Sequence, residues 1–594
     1  MKLQIKNADY QPFELASKIN MSDSVARVLY NRGFSDPRSV LNYLNYKPFQ
    51  LRDVEKMKDA DVFLSRLQTA IEKKEHITIY GDYDADGVMS TFIWLMSLAT
   101  LGNIPQWFVN NRFSEGYGLN VKGMKRLLEL YPETQLIVTC DNGIKAWEGI
   151  DYAKAHGVDV IVSDHHGQSQ GEPLPSCPVV CEKRLDEDER KSEWFCGAEL
   201  SRRLVTALFG RMGLQREYRA FLNRLYAYSG LATVTDSITM NAANHFVVKE
   251  GLRQIGDEYD LIWKVLREEC HPSAIDQDMI GFKYGPMINA SGRVLGTVDL
   301  VMQAFLESFA YGVEAEKCMQ EGKAYLFGPT REEQCRKAVQ KLIEVNEERK
   351  MMSAEGDKIA AEIIEKSGYQ EDKFLVIADE RFEEGINGLI AGHLTEQYSV
   401  PSIVLCPKDG EPEIFKGSAR SVEGFNVFEV LNECNDLLLG FGGHPGAAGL
   451  SIKRENISAL RERLRTIAEK YVPEKETTVE VDFIATPDSI QPRLAQELNQ
   501  LMPYGEGFAK PTVGFEGIIK EYRVLNDRHI KFTIDTGTTP LEIFWWNSIQ
   551  NFQKQIKQLG AEPCMITCVG SAPAYAFSYG KLVAQMYVTI VELK

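Results

Sequence analysis

The stretch HITIYGDYDADG at residues 76–87 decides the class of this fold. Its first half is an apolar, β-branched run that predicts a strand. Its second half places three carboxylates, Asp82, Asp84 and Asp86, directly after that strand. In an open parallel sheet, functional groups gather at the carboxyl ends of the strands. Three carboxylates packed there are unfavourable unless cations neutralise them, although a solvated acidic loop is the simpler interpretation of this motif alone.

Two later stretches repeat the pattern of an apolar run that ends in polar, chemically active side chains. QLIVTC at 135–140 is followed by DNG at 141–143, and VDVIVS at 158–163 is followed by DHH at 164–166. The tips of adjacent parallel strands converge, so these side chains are expected to meet. Carboxylates suit Mg²⁺ and Mn²⁺, and an imidazole nitrogen shifts the preference towards Mn²⁺. The three strand ends together predict a metal site.

The pattern of the whole chain predicts several units. Short apolar runs alternate with amphipathic helical segments from His76 onward, which predicts βαβ units and a parallel sheet. A long polar helical stretch separates them from a second, smaller α/β pattern, and short strands typical of an OB-like β-barrel follow. We therefore expect an α/β fold in five parts: a helical lead-in at 1–75, a parallel-sheet domain at 76–310, a connector helix at 311–369, a smaller α/β domain at 370–472 and an OB-like β domain at 473–594.

The composition of the chain excludes some classes of protein. Hydrophobic residues make up 44% of the 594 residues and charged residues 25%, which excludes wholesale disorder. The net charge of −17 argues against a protein that coats nucleic acid by bulk charge. It remains compatible with a local basic groove and with carboxylates that hold cations. The 11 cysteines are scattered without further ligands at zinc spacing, so we expect reduced thiols.

Targeting signals are not expected from the sequence. The longest apolar run, near 88–101, contains Ser and Thr and is shorter than the roughly 20 residues that a helix needs to span a bilayer. The N-terminal residues have neither an apolar core nor a small-residue cleavage site. We therefore expect a cytoplasmic protein that does not associate with a membrane.

The motifs, taken in order, resemble a known family. GDYDADG, DNG and DHH resemble the motifs of the DHH phosphoesterase superfamily. GPMINASGR at 285–293 is similar to the G-P-R-I-N-A-x-G-R segment of RecJ-type single-strand-specific exonucleases. SARS at 418–421 and FGGHPGAAG at 441–449 resemble the DHH-associated domain of that family, and YGEG at 504–507 resembles the start of its OB-type domain. The resemblance extends from about residue 20 to the C-terminus.

The resemblance implies a site for two ions, Mn²⁺ or Mg²⁺. The implied metal ligands are Asp82, Asp84, Asp86, Asp141, His165 and Asp236. The implied catalytic set is Asp84, Asp86, Asp141, His165 and His166. Asp141 would bridge the ions, and Asp164 would support the histidines. Two ions about 4 Å apart can activate a water molecule and stabilise an in-line phosphoryl displacement.

A second set of residues is expected to hold the substrate. A phosphate backbone needs Arg, Ser and backbone N–H donors, and bases need flat partners. The candidates are Arg112, Tyr117, Asn289, Arg293, Ser418, Arg420, Gly443 and His444. A surface ion pair is the alternative for a single arginine. The pair Trp545-Trp546 is more typical of a barrel core than of a stacking platform.

The chain departs from the family pattern at two informative positions. Met287 stands where the family usually has an arginine, which predicts the loss of one phosphate contact. Glu199 replaces a small residue. The metal motifs are intact, so we expect catalysis to survive.

We therefore expect a metal-dependent exonuclease that hydrolyses single-stranded DNA in repair and recombination. The resemblance alone carries the 5′ to 3′ polarity. One alternative is a DHH phosphodiesterase for short oligonucleotides or cyclic dinucleotides, which the length and the C-terminal barrel disfavour. Another is a non-catalytic scaffold, which would be expected to lack metal carboxylates. Expected partners are single-stranded DNA, together with a single-strand-binding protein or a helicase, and a monomer is expected.

Overall fold

The fold is taken from a computed structural model. It describes residues 2–187, 193–320, 329–471, 478–486, 489–534, 536, 540–578 and 581–594. In this part of the chain, no helix is both long and apolar enough to cross a membrane. The N-terminal elements are β1 (Lys2–Ile5), α1 (Phe13–Ile19), α2 (Asp23–Asn31), α3 (Pro37–Leu44) and α4 (Ala60–Glu72).

The first α/β domain is built on a parallel sheet of five strands in the order β3-β2-β4-β5-β6. Its strands are β2 (Ile77–Tyr80), β3 (Gln106–Phe108), β4 (Leu136–Cys140), β5 (Asp159–Ser163) and β6 (Val179–Val180). Its helices are α5 (Ala85–Thr100), α6 (Val121–Leu130), α7 (Trp147–Ala155), α8 (Gly197–Arg211), α9 (Arg219–Arg224), α10 (Tyr226–Thr235), α11 (Ala242–Asp257), α12 (Leu261–Cys270), α13 (Gln277–Met279) and α14 (Gly285–Ala290). The central strands β2 and β4 are buried at every position, which explains their uninterrupted apolar sequences.

Two long helices link the α/β domains: α15 (Asp299–Gln320) and α16 (Pro329–Ser367). The sequence predicted a solvated connector, but α16 is buried along one face at both ends. Cys335 and Leu342 belong to the core of the first domain, and Ile359 and Ile364 belong to the core of the second. The helix therefore packs against both domains through its own side chains.

The second α/β domain has a mixed sheet of five strands in the order β10-β11-β9-β8-β7. Its elements are β7 (Leu375–Ala378), α17 (Asn387–Tyr398), β8 (Ser402–Lys408), β9 (Glu411–Arg420), α18 (Val427–Asn432), β10 (Leu438–His444), β11 (Ala447–Lys453) and α19 (Ile457–Tyr471). The strands β10 and β11 form an antiparallel hairpin at the sheet edge.

The C-terminal domain is a closed five-stranded barrel, because β14, β15, β16, β19 and β17 pair in a ring that β17 closes onto β14. Its elements are β12 (Thr478–Val481), β13 (Phe483–Ala485), α20 (Pro492–Gln500), β14 (Val513–Leu525), β15 (His529–Ile534), β16 (Leu541–Trp545), α21 (Ile549–Leu559), β17 (Met565–Gly570), β18 (Ala574–Ser578) and β19 (Lys581–Leu593). The predicted fold class, two α/β domains joined by a long helix with an OB-like barrel, is confirmed.

The N-terminal residues 2–75 contribute to two cores rather than forming one helical lead-in. Strand β1 pairs in parallel with β12, and helices α1 to α3 share an apolar core with the barrel. Arg32 and Asp482 join these regions through two guanidinium–carboxylate hydrogen bonds of 2.6 and 3.0 Å. Helix α4 instead packs in the core of the first α/β domain. The short strand was not predicted because its partner lies more than 470 residues away in the sequence.

Candidate metal centre and the cleft beside it

The three acidic strand tips meet at one edge of the first sheet. Strand β4 lies between β2 and β5, so the residues that follow these strands are neighbours in space. Asp82, Asp86 and Asp141 are almost completely buried there. Asp236, the residue directly after α10, joins them from a separate helix. We call Asp82, Asp84, Asp86, Asp141 and Asp236 the acidic cluster.

Helix termini hold two of these carboxylates in place. Asp84 is the N-cap of α5, and its carboxylate accepts a hydrogen bond of 3.0 Å from the backbone N–H of Gly87. Asp86 accepts hydrogen bonds of 2.7 and 2.8 Å from the backbone N–H groups of Gly197 and Ala198, in the first turn of α8. Unpaired N–H groups at a helix N-terminus are favourable partners for a carboxylate. These contacts fix both side chains without adding a positive side chain.

Close packing also fixes Asp141. Its backbone has a φ of 62°, in the left-handed region that few non-glycine residues adopt. A Cβ atom at Gly197 would lie 2.8 Å from the Cβ of Asp141, so a larger residue at 197 would displace the carboxylate. The sequence analysis missed the role of Gly197, which no nearby motif indicates.

The two histidines differ in their surroundings. His165 is buried, and its Nε2 lies 3.0 Å from an oxygen of Asp141, 3.5 Å from Asp86 and 3.6 Å from Asp236. The half-exposed His166 makes a contact of 2.8 Å between its Nδ1 and Asp164. Asp164 also accepts hydrogen bonds from the backbone N–H groups of Ile144, His165 and His166. Asp164 therefore braces the loop that carries both imidazoles.

The pKa values in the cluster follow from burial and mutual repulsion. Burial, reinforced by Asp84, raises the pKa of Asp82 well above its usual value and that of Asp86 to about 6. Burial, with Asp86 as the nearest repulsive charge, raises the pKa of Asp141 strongly and that of Asp236 to about 8. Like charges brought together in a buried site disfavour ionisation. The cluster is therefore short of positive charge.

The pKa values of the two histidines shift in opposite directions. Burial, together with repulsion from His166, lowers the pKa of His165 to about 3, so its ring is neutral and keeps a lone pair for a ligand. Burial also lowers the pKa of His166, but the Asp164 carboxylate outweighs it and raises the pKa to about 9. His166 also lowers the pKa of Asp164 to about 2, against the effect of burial. His166 and Asp164 thus form a charged pair beside a neutral His165.

The donor set fits divalent cations. Three groups have ligand atoms within 4.8 Å of one another: Asp82, Asp84 and Asp141; Asp86, His165 and Asp236; Asp141, His165 and His166. Nδ1 of His165 is buried without a hydrogen-bond partner, and the nearest basic atom to the buried Oδ1 of Asp141 is Nε2 of His165, at 3.0 Å. In the described part of the chain, the two histidines are the only basic side chains within 4.0 Å of these carboxylates. Several carboxylates with one imidazole nitrogen suit Mg²⁺ or Mn²⁺.

Four arginines face the cleft between the two α/β domains, and we call Arg112, Arg293, Arg349 and Arg420 the arginine cluster. Arg112, Arg349 and Arg420 all lie close enough to Arg293 to lower its pKa, which burial and this repulsion bring to about 10. Within the described ranges, no carboxylate forms an ion pair with any of the four, whereas most other arginines there are paired. The sequence analysis predicted three of them and missed Arg349, which lies in a charge-rich helical stretch.

The remaining predicted substrate residues fall into two groups. Tyr117 places its hydroxyl 3.3 Å from a ring nitrogen of His166, and the Arg112 guanidinium lies over the ring of Tyr83. A cavity of about 430 Å³ beside them is lined by Arg112, Asn387, Lys416, Ser418 and Phe441, among others. These side chains come from both α/β domains. His444 lies at the end of β10, exposed, close enough to Arg420 for the arginine to lower its pKa in addition to burial.

Two predicted substrate residues have other contacts. Asn289 accepts a hydrogen bond of 2.8 Å at its side-chain oxygen from the backbone N–H of Ala85, so it holds the start of the helix that carries Asp84 and Asp86. Gly443 has a φ of 151°, and a Cβ there would lie 2.3 Å from the carbonyl oxygen of Ala447. The glycine is therefore required for the pairing of β10 with β11.

The departures from the family pattern are accommodated in the core. Met287 is buried among the apolar side chains of the first domain. Glu199 is fully buried, but Arg202 donates two hydrogen bonds of 2.7 Å to its carboxylate. Of the tryptophan pair, Trp545 lies in the barrel core, as predicted for both. Trp546 is half-exposed and stacks with Phe544 and Tyr587 on the outer face.

Comparison with family models identifies three segments. Residues 76–227 match the N-terminal domain of the DHH family, residues 371–470 match the DHHA1 domain, and residues 481–570 match the RecJ OB domain. The matches occur in the chain order that the sequence motifs indicated.

Known proteins with the same organisation are similar over most of the chain. The single-stranded-DNA-specific exonuclease RecJ of Bacillus subtilis is 30% identical over 555 residues, which are 92% of this chain and 66% of that protein. The chain thus spans about two thirds of the length of that relative. The Escherichia coli protein of the same name is 28% identical over 529 residues, 85% of this chain and 84% of that protein. The crystal structure of RecJ from Thermus thermophilus in complex with Mn²⁺ is 23% identical and shares the fold, with a TM-score of 0.78 over 100% of this chain and 79% of that chain.

Proposed function

The chain belongs to the RecJ family of DHH phosphoesterases, and we propose that it hydrolyses the phosphodiester bonds of single-stranded DNA from a chain end. One observation carries the proposal: four carboxylates and a neutral imidazole at the strand tips meet a fifth carboxylate from the end of α10, with too little positive charge to balance them. The proteins named as RecJ are described as single-stranded-DNA-specific exonucleases.

The acidic cluster and His165 are the proposed ligands of two divalent cations, Mn²⁺ or Mg²⁺. When bound, such cations lower the pKa of a water molecule and neutralise charge on the reacting phosphate. The chain keeps the His165 ring neutral by burying it, and its Nε2 lies 3.0 to 3.6 Å from oxygens of Asp141, Asp86 and Asp236. The backbone N–H group of Gly197 holds the carboxylate of Asp86. The side-chain oxygen of Asn289 holds the start of α5 through the backbone N–H group of Ala85.

His166 is proposed to face the phosphate as a cation. Its raised pKa means that the imidazole carries a proton at neutral pH, and the hydroxyl of Tyr117 lies against its ring. A half-exposed imidazolium beside the acidic cluster can donate a hydrogen bond to a phosphate oxygen without entering the ligand set. Asp164 keeps it in that orientation.

The arginine cluster and the cavity beside it are the proposed grip on the strand. Guanidinium groups bind phosphate oxygens through paired N–H donors. Within the described residues none of these four arginines is held in an ion pair, although Asp84 lies near enough to Arg293 to raise its pKa. The second α/β domain supplies Arg420 and Ser418, so the grip depends on both sides of the cleft. The barrel adds a surface on which Trp546 and Tyr587 can stack with bases.

The finer statements stay predictions. The 5′ to 3′ polarity and the role in DNA repair and recombination come from the family resemblance. A single-strand-binding protein or a helicase as partner, a monomeric state and a cytoplasmic location come from the sequence analysis. The residue roles given above and the five predicted units of the chain are part of the proposal.

A nuclease assay with end-labelled DNA tests the proposal. A single strand should be degraded in Mn²⁺ or Mg²⁺, the blunt duplex of the same sequence should resist, and chelation should stop the reaction. Strands labelled at the 5′ or the 3′ end then give the polarity. Asp141→Asn should be inactive, whereas Asp151→Asn, which neutralises an exposed carboxylate on α7, should match the wild type. Faster turnover of a dinucleotide or a cyclic dinucleotide than of a long strand would favour the alternative phosphodiesterase.

A further inference from the structure

A second cavity adjoins the acidic cluster on the side of Asp236. It has a volume of about 250 Å³ and lies between the end of α10, α14 and α16. Polar groups line most of its wall: Thr235, Ser237, Asn289, Arg293 and Arg349. Thr235 and Ser237 flank Asp236, whose carboxylate lies 3.6 Å from Nε2 of His165. The cavity therefore borders the turn that carries Asp236, and Asn289 in its wall contacts Ala85, which lies between Asp84 and Asp86 in the sequence.

Arg349 reaches this cavity from the connector helix α16. Its Nε donates a hydrogen bond of 3.0 Å to the side-chain oxygen of Asn346, which orients the guanidinium and leaves its two terminal nitrogens for other partners. In the described ranges no carboxylate pairs with it. By contrast, Arg336 on the same helix is held by Glu268, Glu269 and Glu332. Arg349 thus lacks the counter-ion that a purely structural arginine of this helix has.

Arg293 gives the cavity a second positive charge. Arg349 is one of the groups whose repulsion, added to burial, lowers the pKa of Arg293. Burial lowers the pKa of Arg349, and Glu347 opposes this shift without reversing it. Two partly buried guanidinium groups at one small cavity are unfavourable without an anion. An anion of phosphate size, with several acceptor oxygens, matches their donors.

We propose that Arg349, together with Arg293, binds the phosphate group next to the scissile phosphate on the DNA strand. This inference rests on the proposed function and adds a binding residue from the connector helix. A phosphate bound there would contact α16, the helix that packs against both α/β domains.

Binding measured without metal tests the contact separately from catalysis. The probe is a fluorescent thymidine oligonucleotide, titrated with metal-free protein in EDTA at several salt concentrations. Arg349→Ala should weaken binding about tenfold and reduce the log–log salt slope by about 0.7, the value for one lost phosphate contact on a single strand. The matched control is Lys350→Ala, which removes the adjacent exposed charge that pairs with Glu347. An equal slope for Arg349→Ala and the wild type would overturn the inference.

Substrates with one neutral phosphate locate the contact. Oligonucleotides that carry a single methylphosphonate at successive positions are cleaved by the wild type, Arg349→Ala and Arg349→Lys. At one position next to the scissile phosphate, the methylphosphonate should slow the wild type about tenfold and leave Arg349→Ala without further loss. Arg349→Lys keeps the charge and should retain part of the sensitivity, which also guards against misfolding of the alanine variant. If the methylphosphonate slowed Arg349→Ala as much as it slows the wild type at every position, the inference would be overturned. A wild type that cleaves none of these strands would instead refute the proposed function.

Discussion

The acidic cluster and the arginine cluster lie side by side, yet they are assembled in different ways. Four of the five carboxylates follow two neighbouring strands of one sheet, β2 and β4, and the two imidazoles follow the next strand, β5. The four arginines come from a loop, a helical turn, the connector helix and a strand of the second domain. The acidic cluster is therefore a property of a single sheet, whereas the arginine cluster exists only when both domains are docked. Mutations in the acidic cluster should therefore change the rate of hydrolysis, and mutations in the arginine cluster should change the binding of the strand.

Removal of a proposed metal ligand should have the largest effect, which is a loss of kcat. Asp84→Ala, Asp141→Asn and His165→Ala should each lower kcat at least about 1,000-fold, equivalent to about 4 kcal/mol of transition-state stabilisation. Metal-free Asp141→Asn should melt no lower than the wild type, because it relieves repulsion among buried carboxylates. Steady-state kinetics and thermal unfolding check the two statements. Full activity in any of the three variants would remove that residue from the site.

Loss of a guanidinium should act on binding instead. Arg420→Ala should raise KM about 10- to 100-fold with a much smaller change in kcat, because a charged hydrogen bond to phosphate is lost. The salt slope of binding should fall by about 0.7 to 1. Arg463→Ala is a suitable control, since that arginine pairs with Asp436 on the same domain. If Arg420→Ala changed kcat alone, the division between the two clusters would fail.

Asn289 sharpens the comparison because it was predicted as a substrate ligand, and its side-chain oxygen accepts a hydrogen bond from Ala85, beside the acidic cluster. Asn289→Ala should lower kcat about tenfold through a displaced α5 and leave the affinity of metal-free protein for single strands nearly unchanged. Asn289→Asp should retain more activity, since its oxygen can still accept from Ala85. An affinity loss as large as that of Arg420→Ala would show that Asn289 binds the strand.

The smallest expected effect is the change in the free energy of unfolding with pH. Asp236 titrates near 8 and His166 near 9 in the folded chain, above their values when unfolded. Groups with raised pKa values stabilise the protonated folded state, so metal-free protein should lose stability as the pH rises from about 6.5 to 8. Mn²⁺ favours the ionised carboxylates and should raise Tm more at pH 8 than at 6.5. Thermal unfolding with EDTA or Mn²⁺ at both values is the measurement, and a metal effect independent of pH would contradict the assignment.

The sequence predicts the acidic cluster well because its information is local. Each carboxylate or imidazole pair directly follows an apolar run, and a parallel sheet brings such tips together whatever the rest of the chain does. Asp236 needed the family resemblance, since it follows a helix with no motif of its own. The arginine cluster was predicted only in part for the same reason. Arg349 lies among alternating charges that are typical of a solvated helix, and only the docking of both domains shows where it faces.

Non-local pairing accounts for the other differences. Strand β1 cannot be inferred without its partner at Thr478–Val481, and the role of Gly443 depends on the strand opposite it. Gly197 is distant in sequence from Asp141, which it touches. In each case the decisive neighbour comes from another part of the chain.

Direct counting of bound metal tests the central claim, that the strand tips form one site for a pair of cations. Mn²⁺ is titrated calorimetrically into metal-free wild type, Asp141→Asn and the control Asp151→Asn. The wild type and the control should bind two ions per chain with proton release, and Asp141→Asn should lose at least one ion. Weak binding without a defined stoichiometry, or the same binding in Asp141→Asn as in the wild type, would contradict the central claim.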